Sequence, residues 1–268
     1  MPAPRASAED LRQAHEVYRG ALERMTDIGV PFLVGGAYAF ARYTGIERFT
    51  KDFDVFLRLE DLDRALGILA DAGFKTSRPF PHWLAKARKG EDFIDLIYSS
   101  GNGVARVDDG WFEHAVEGQV LGWPVKFVGP EEIIWSKSFI MERERYDGAD
   151  VAHLFRSSAA EIDWVRLIER FGPYWRVLFG HLVLFGFIYP GERSAIPVWV
   201  LEQLMERLAA EVRTTPTNER VCQGTILSRE QYLTDIERWG YQDARVFPLG
   251  HMSAADTAVW TEAIGQEE

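Results

Sequence analysis

PFLVGGAYAFARYTGIERFTKDFDVFL, residues 31–57, holds two apolar runs and the polar signals that end one and begin the other. Phe32-Leu33-Val34 runs into the pair Gly35-Gly36, and Asp52-Phe53-Asp54 leads into Val55-Phe56-Leu57. Residues 37–51 between them have room for a short helix and a loop. Side chains alternate faces along a strand, so Asp52 and Asp54 present two carboxylates to one side at the mouth of a sheet. Like charges so close are costly unless a cation sits between them. Oxygen-only ligands suit a hard ion, magnesium or manganese. The glycine pair lets backbone N–H groups come near a bulky anion such as a phosphate.

Working outward, Ser7 with Asp10 three residues on reads as the start of a helix running to Ile28, with Gly29 as its cap and Pro31 beyond. Strands are expected at residues 32–34 and 54–59. Leu62, Ala65, Leu66 and Leu69 recur at helical spacing up to Gly73, and two further strands follow at 83–87 and 93–98. A short helix at 111–117 and a hairpin at 119–128, centred on Gly122-Trp123-Pro124, complete a small mixed sheet. Pro130 then opens a helix expected over 131–145. From there the pattern gives helices only, at 148–155, 162–171, 174–188 and 198–212. A polar loop covers 214–224, Ser228 with Gln231 resembles a capping box for another helix, and a weak last helix starts near Ser253. The expectation is an α+β protein: an N-terminal α/β domain, residues 1–129, and an all-helical domain, residues 130–268, completing a cleft.

Two residues break these patterns. Asp95 stands in the apolar strand Phe93-Ile94-Asp95-Leu96-Ile97-Tyr98, and an acid there is expensive to bury without a partner. Either this is an edge strand with Asp95 in water, or Asp95 faces Asp52 and Asp54 as a third metal ligand. Lys137 shares the helical stripe of Ile133, Ile134, Ile140 and Met141. It either snorkels to solvent or carries its charge to a phosphate. Asp147, beyond it, is placed to cap the next helix. The six histidines show no metal-ligand spacing, which argues against zinc, and there is neither a P-loop nor a GxGxxG.

Composition bounds the rest. Thirty Lys and Arg against 41 Asp and Glu give a net charge of −11, which disfavours broad nucleic-acid binding. The single cysteine, Cys222, excludes an internal disulfide and fits a reducing cytoplasm. The N-terminus MPAPRASAEDLRQ has no apolar core of the secretory kind. The greasiest segment, 177–189, is interrupted by Gly180, His181 and Gly186 and falls short of the roughly 20 residues that span a bilayer, so it reads as a buried helix rather than a membrane anchor.

With Gly35-Gly36, Asp52-Phe53-Asp54 and Asp95 in hand, residues 32–155 resemble the nucleotidyltransferase superfamily of polymerase-beta type. That signature is a glycine pair closing the first strand, a DxD on the second and an acid on a later one; here the second glycine stands where a serine is common. Lys137, ten residues ahead of Asp147 and followed by Asp150, resembles the Lys…Asp-x-x-Asp element of the AbiEii-type nucleotidyltransferases, toxin halves of abortive-infection systems. The resemblance implies transfer of a nucleoside monophosphate from a nucleoside triphosphate to an acceptor hydroxyl on a small molecule, a protein or an RNA end, with release of pyrophosphate. It assigns Asp52, Asp54 and Asp95 to Mg2+ or Mn2+, with Asp95 activating the acceptor. Gly35, Gly36, Thr50 and Lys137 go to the nucleotide, and a cognate antitoxin is the implied protein partner. Two other readings stand beside it: a DxD glycosyltransferase, and a non-catalytic module that binds a nucleotide or a partner.

Overall fold

The structure, a computed structural model, describes residues 8–48, 50 and 52–263, with side chains described from residue 14 on. Ser7, the expected helix start, and Lys51, within the polar lead-in to the DxD, lie outside the described residues. The chain divides into two compact units. The first runs to Arg42 and includes Ile46–Ser99 and Arg106–Gly129; the second has Tyr43–Gly45, Ser100–Ala105 and the chain from Pro130 on.

The first unit is built on one mixed sheet. Its elements in order are α1 (Ala8–Asp27), β1 (Leu33–Val34), α2 (Gly36–Thr44, whose last residues belong to the second unit), β2 (Asp52–Phe56), α3 (Leu62–Asp71), β3 (Lys75–Phe80), β4 (Leu84–Lys89), β5 (Asp92–Ile97), α4 (Asp109–Glu113), β6 (Val116–Val120) and β7 (Trp123–Phe127). The seven strands lie in the order β3-β4-β5-β2-β1-β7-β6. β2 runs parallel to β5 and antiparallel to β1, and β1 runs parallel to β7. One face is the core: Phe53 and Val55 of β2 and Ile94 and Leu96 of β5 are fully buried. Tyr18 of α1 packs its ring 5.1 Å from that of Phe53, and α1 and α3 pack together on this side. The opposite face of β2 carries the intermediate positions Asp52, Asp54 and Phe56, the two-residue period of a half-buried strand.

Several expectations are corrected here. β2 begins at Asp52 rather than Asp54 and ends at Phe56, so both carboxylates stand on the strand itself. The strand β3, KTSRPF, was not foreseen: it is an edge strand, mostly exposed, with no apolar alternation and a proline. The hairpin turns at Leu121 and Gly122, both at positive φ (53° and 74°), so Trp123 and Pro124 lie in β7 rather than in the turn.

The second unit comprises α5 (Pro130–Ser138), α6 (Gly148–Ser158), α7 (Trp164–Phe171), α8 (Trp175–Ile188), α9 (Val198–Val212), β8 (Val221–Cys222), α10 (Gly224–Leu227), α11 (Leu233–Glu237), β9 (Gln242–Asp243) and α12 (Ala254–Glu262). It is not all helical: β8 and β9 form a two-stranded parallel sheet. Ser228 accepts from the backbone of Gln231, and the helix expected after it is α11, which starts only at Leu233; a full capping box stands at Ser253 and Asp256, at the start of α12. Glu132 of α5 is fully buried and is held by Arg166 and Arg170 of α7, the partners a buried acid requires. The window Trp164–Ile188 is apolar enough for a membrane span, but Gly172, at φ 45°, divides it into helices of 8 and 14 residues. α8 is not the buried helix expected from its composition: Val183, Leu184, Phe187 and Ile188 are exposed, Phe187 to 83%.

α5 stops at Ser138, seven residues before the expected end. The stretch Glu142-Arg143-Glu144-Arg145 has good helix formers, but the chain doubles back there, with Met141 bridging Tyr146 and the Glu142 N–H donating to the Arg145 carbonyl at 2.8 Å. That turn brings Asp147 and Asp150 to Lys137, and the ion pairs described below outweigh the local helical preference.

Candidate active site

The register of the sheet assembles the site. Asp54 of β2 is the direct cross-strand partner of Asp95 of β5, and Asp95 is the direct partner of Lys86 of β4. Paired residues in a sheet point to the same face, and neighbouring strands lie about 4.8 Å apart. Asp52, two residues before Asp54, joins the same face. Asp52, Asp54 and Asp95 each offer a carboxylate oxygen within 4.8 Å of the others. Asp95 is buried and does not sit on an edge strand facing water: β5 lies between β4 and β2.

The electrostatics of this cluster follow from its geometry. Two unit charges 4.8 Å apart repel by about 3.5 kcal/mol at an effective dielectric near 20, and by less where water reaches them, as at Asp52 and Asp54. Burial raises the pKa of Asp95 above the usual carboxylate value, with Asp52 adding to the rise; Lys86 opposes it. The Lys86 ammonium lies 2.9 Å and 3.2 Å from the two Asp95 oxygens and 4.5 Å from the centre of the Phe93 ring. Burial also raises the pKa of the Tyr18 phenol, with the charges of Asp92, Asp52 and Asp95 adding to the rise, which keeps its proton in place beside the carboxylate strands.

The glycine pair supplies room for Asp54. Gly36 sits at φ 53°, and a Cβ there would lie 1.7 Å from Asp54 Oδ2. Gly35 donates its N–H to the Asp54 carbonyl at 3.0 Å, and a Cβ on it would strike the Phe56 ring. Close backbone approach is what both glycines allow, and the group approaching Gly36 is the protein's own carboxylate. Thr50 closes a small turn at the strand entrance, its hydroxyl 3.3 Å from both the N–H and the carbonyl of Asp52.

Lys137 is joined to Asp147 at 2.7 Å and to Asp150 at 2.8 Å, so the three residues of the Lys…Asp-x-x-Asp spacing meet within the second unit. Arg145 adds a two-pronged contact to Asp147, with both distances 3.0 Å. Burial works against the charge of Asp147, but Arg145 and Lys137 hold its pKa below the usual carboxylate range. Asp147 precedes α6 as expected, yet its side chain makes no cap and is spent on these cations. Lys86, Phe93 and Tyr18 escaped sequence reasoning. Lys86 had one available signal: a lysine in a strand nine residues before an acid in the next, the spacing of facing hairpin partners.

No protein-family model matches the sequence, and no curated protein matches it. Solved structures similar to this one include the antibiotic-resistance factor ANT(2'')-Ia in solution, with 17% identity over 75% of this chain and 96% of that chain and a TM-score of 0.39. They include the lincomycin-bound lincosamide antibiotic adenylyltransferase LnuA, with 12% identity over 52% and 94% and a TM-score of 0.38. An antigenic nucleotidyltransferase-like protein from Paracoccidioides brasiliensis matches with 16% identity over 70% and 93% and a TM-score of 0.42.

Proposed function

We propose that the protein is a metal-dependent nucleotidyltransferase that moves a nucleoside monophosphate from a nucleoside triphosphate to an acceptor hydroxyl and releases pyrophosphate. One observation carries the reading: three carboxylates from two neighbouring parallel strands converge on one sheet face within 4.8 Å. The donor set is oxygen only, and its mutual repulsion calls for a cation, so the residues present fit Mg2+ or Mn2+. Such ions, when bound, lower the pKa of an attacking hydroxyl and stabilise a leaving pyrophosphate. Asp52 and Asp54 would hold them. Asp95 is buried with a raised pKa, which suits it to take the proton from the acceptor. Gly36 fixes where the Asp54 carboxylate stands.

The test is incubation with labelled nucleoside triphosphates and cell extract. Pyrophosphate release is expected only with added magnesium or manganese, and label should pass to a hydroxyl-bearing acceptor. Metal-independent turnover would point to other chemistry. The narrower AbiEii-type assignment, with its antitoxin partner and a cytoplasmic setting that supplies nucleotides, draws support from the Lys137, Asp147 and Asp150 spacing alone.

The same family reading gives Lys137 to the triphosphate, whereas its two salt bridges give it to folding. Lys137→Ala leaves Asp147 and Asp150 buried without the ammonium they share. Unfolding by urea is expected to show a loss of about 2–3 kcal/mol, below the usual figure for a fully buried pair because Lys137 is partly exposed. The Kd for ATP should change less than threefold. A tenfold weaker Kd with unchanged unfolding would return Lys137 to the nucleotide.

A further inference from the structure

The helices α8 and α9 bury one side of their pair and show apolar side chains on another. α8 buries Leu178, Leu182 and Phe185, and Val183, Leu184 and Phe187 come out on the far side of the same helix. α9 buries Val200 and Leu204, and it carries Val198, Met205 and Val212, seven residues apart, along one exposed line, with Val212 74% exposed. The two helices run antiparallel. The Arg207 guanidinium lies 4.9 Å over the Trp175 ring, Arg176 pairs with Glu211 at 2.8 Å, and a Cβ on Gly186 would lie 3.6 Å from the Arg193 stem. Those contacts fix how each helix is turned against the other. Stepping 100° per residue from them puts Val183 and Phe187 on the same side of the pair as Met205 and Val212.

We propose that this face docks a second copy of the chain, the two α8–α9 pairs packing on each other about a two-fold axis near Met205. The six exposed side chains present roughly 600–700 Å² of apolar surface, more than most monomers leave in water and near the roughly 800 Å² that each partner gives a standard interface. Charge sets the orientation. Glu202 and Glu206 are exposed in the first half of α9, whereas Arg213 follows its last residue and Arg176 pairs with Glu211 at that same end. A two-fold pairing with the α9 helices antiparallel sets the acids of each copy against the arginines of the other, twice over. The parallel arrangement would set Glu202 and Glu206 against their own counterparts, an added repulsion between chains that each carry a net charge of −11. The same acids argue against a lipid occupant, because helices that lie in a membrane surface border their apolar face with Lys and Arg.

Sedimentation equilibrium of the full chain between about 1 and 100 μM tests it. Wild type is expected at twice the mass of one chain, with a dissociation constant below about 10 μM. Met205→Asp and Phe187→Asp should each raise that constant at least a hundredfold. Both positions are exposed, so the circular dichroism spectrum should hold, and either variant serves if the other folds poorly. Glu202→Arg and Arg213→Glu should each weaken association at least tenfold, and an equimolar mixture of the two should recover a dimer of wild-type affinity. Wild type that stays at the mass of one chain up to 100 μM overturns the proposal, as does a dimer that both apolar variants leave intact. A single chain that co-sediments with phosphatidylcholine–phosphatidylglycerol vesicles, and loses them on Phe187→Asp, would overturn it in favour of a lipid surface.

Discussion

Asp54→Asn is expected to cut pyrophosphate release at least a thousandfold while the melting temperature holds or rises by up to about 3 °C. The two effects have one origin. Asp54 stands in the middle of the row, between the Gly35 backbone and Asp95, and it belongs to two of the three carboxylate pairs in the cluster. Neutralising it removes both repulsions and leaves the Lys86–Asp95 ion pair in place. Asparagine keeps the shape that fits beside Gly36, so packing is conserved. What is lost is an anionic oxygen where a divalent ion needs one. Labelled triphosphate turnover and a thermal melt on the same preparation read both quantities. Activity within tenfold of wild type would remove Asp54 from the metal site. A melting temperature lowered by more than about 5 °C would mean that Asp54 contributes more to the fold through its contacts than it costs through its charge.

What the sequence disclosed, and what it withheld, divides along the range of the forces involved. Asp52-Phe53-Asp54 was legible because strand alternation is local, and the burial pattern along β2 follows it residue by residue. Asp95 was legible as an anomaly, since an acid between Ile94 and Leu96 demands an explanation wherever it lies. Lys86 was not, because LAKARK reads as an ordinary polar strand until the register of β4 against β5 is known. The same limit hid β3, whose pairing with β4 is set by backbone groups rather than by apolar alternation. α5 was drawn too long because Glu142 to Arg145 favour a helix locally, while the pull of Lys137 on Asp147 and Asp150 appears only in three dimensions. Gly35-Gly36 was recognised as a place of close approach, and the Asp54 carboxylate is a group that Gly36 makes room for in the fold.

That contact makes Gly36→Ala the sharper probe of the pair. The residue is at φ 53°, where a Cβ costs about 1–2 kcal/mol in backbone strain alone. The new methyl would also stand 1.7 Å from Asp54 Oδ2 and 2.6 Å from its Cγ, so the carboxylate must move by more than an ångström. A displacement of about 1 Å at a reacting centre costs on the order of a hundredfold in rate. The expected result is therefore a loss of at least a hundredfold in transfer, weaker Mn2+ binding, and a melting temperature lower by about 5–8 °C. Gly35→Ala is the matched control. Its Cβ meets the Phe56 ring, 2.2 Å from Cε2, and that ring stacks on Trp111 at 5.3 Å. Gly35→Ala should thus lower stability by repacking two aromatic rings while Mn2+ affinity stays within threefold. If Gly36→Ala instead keeps wild-type Mn2+ affinity and turnover, Asp54 is free to settle elsewhere, and the glycine does not position the metal ligand.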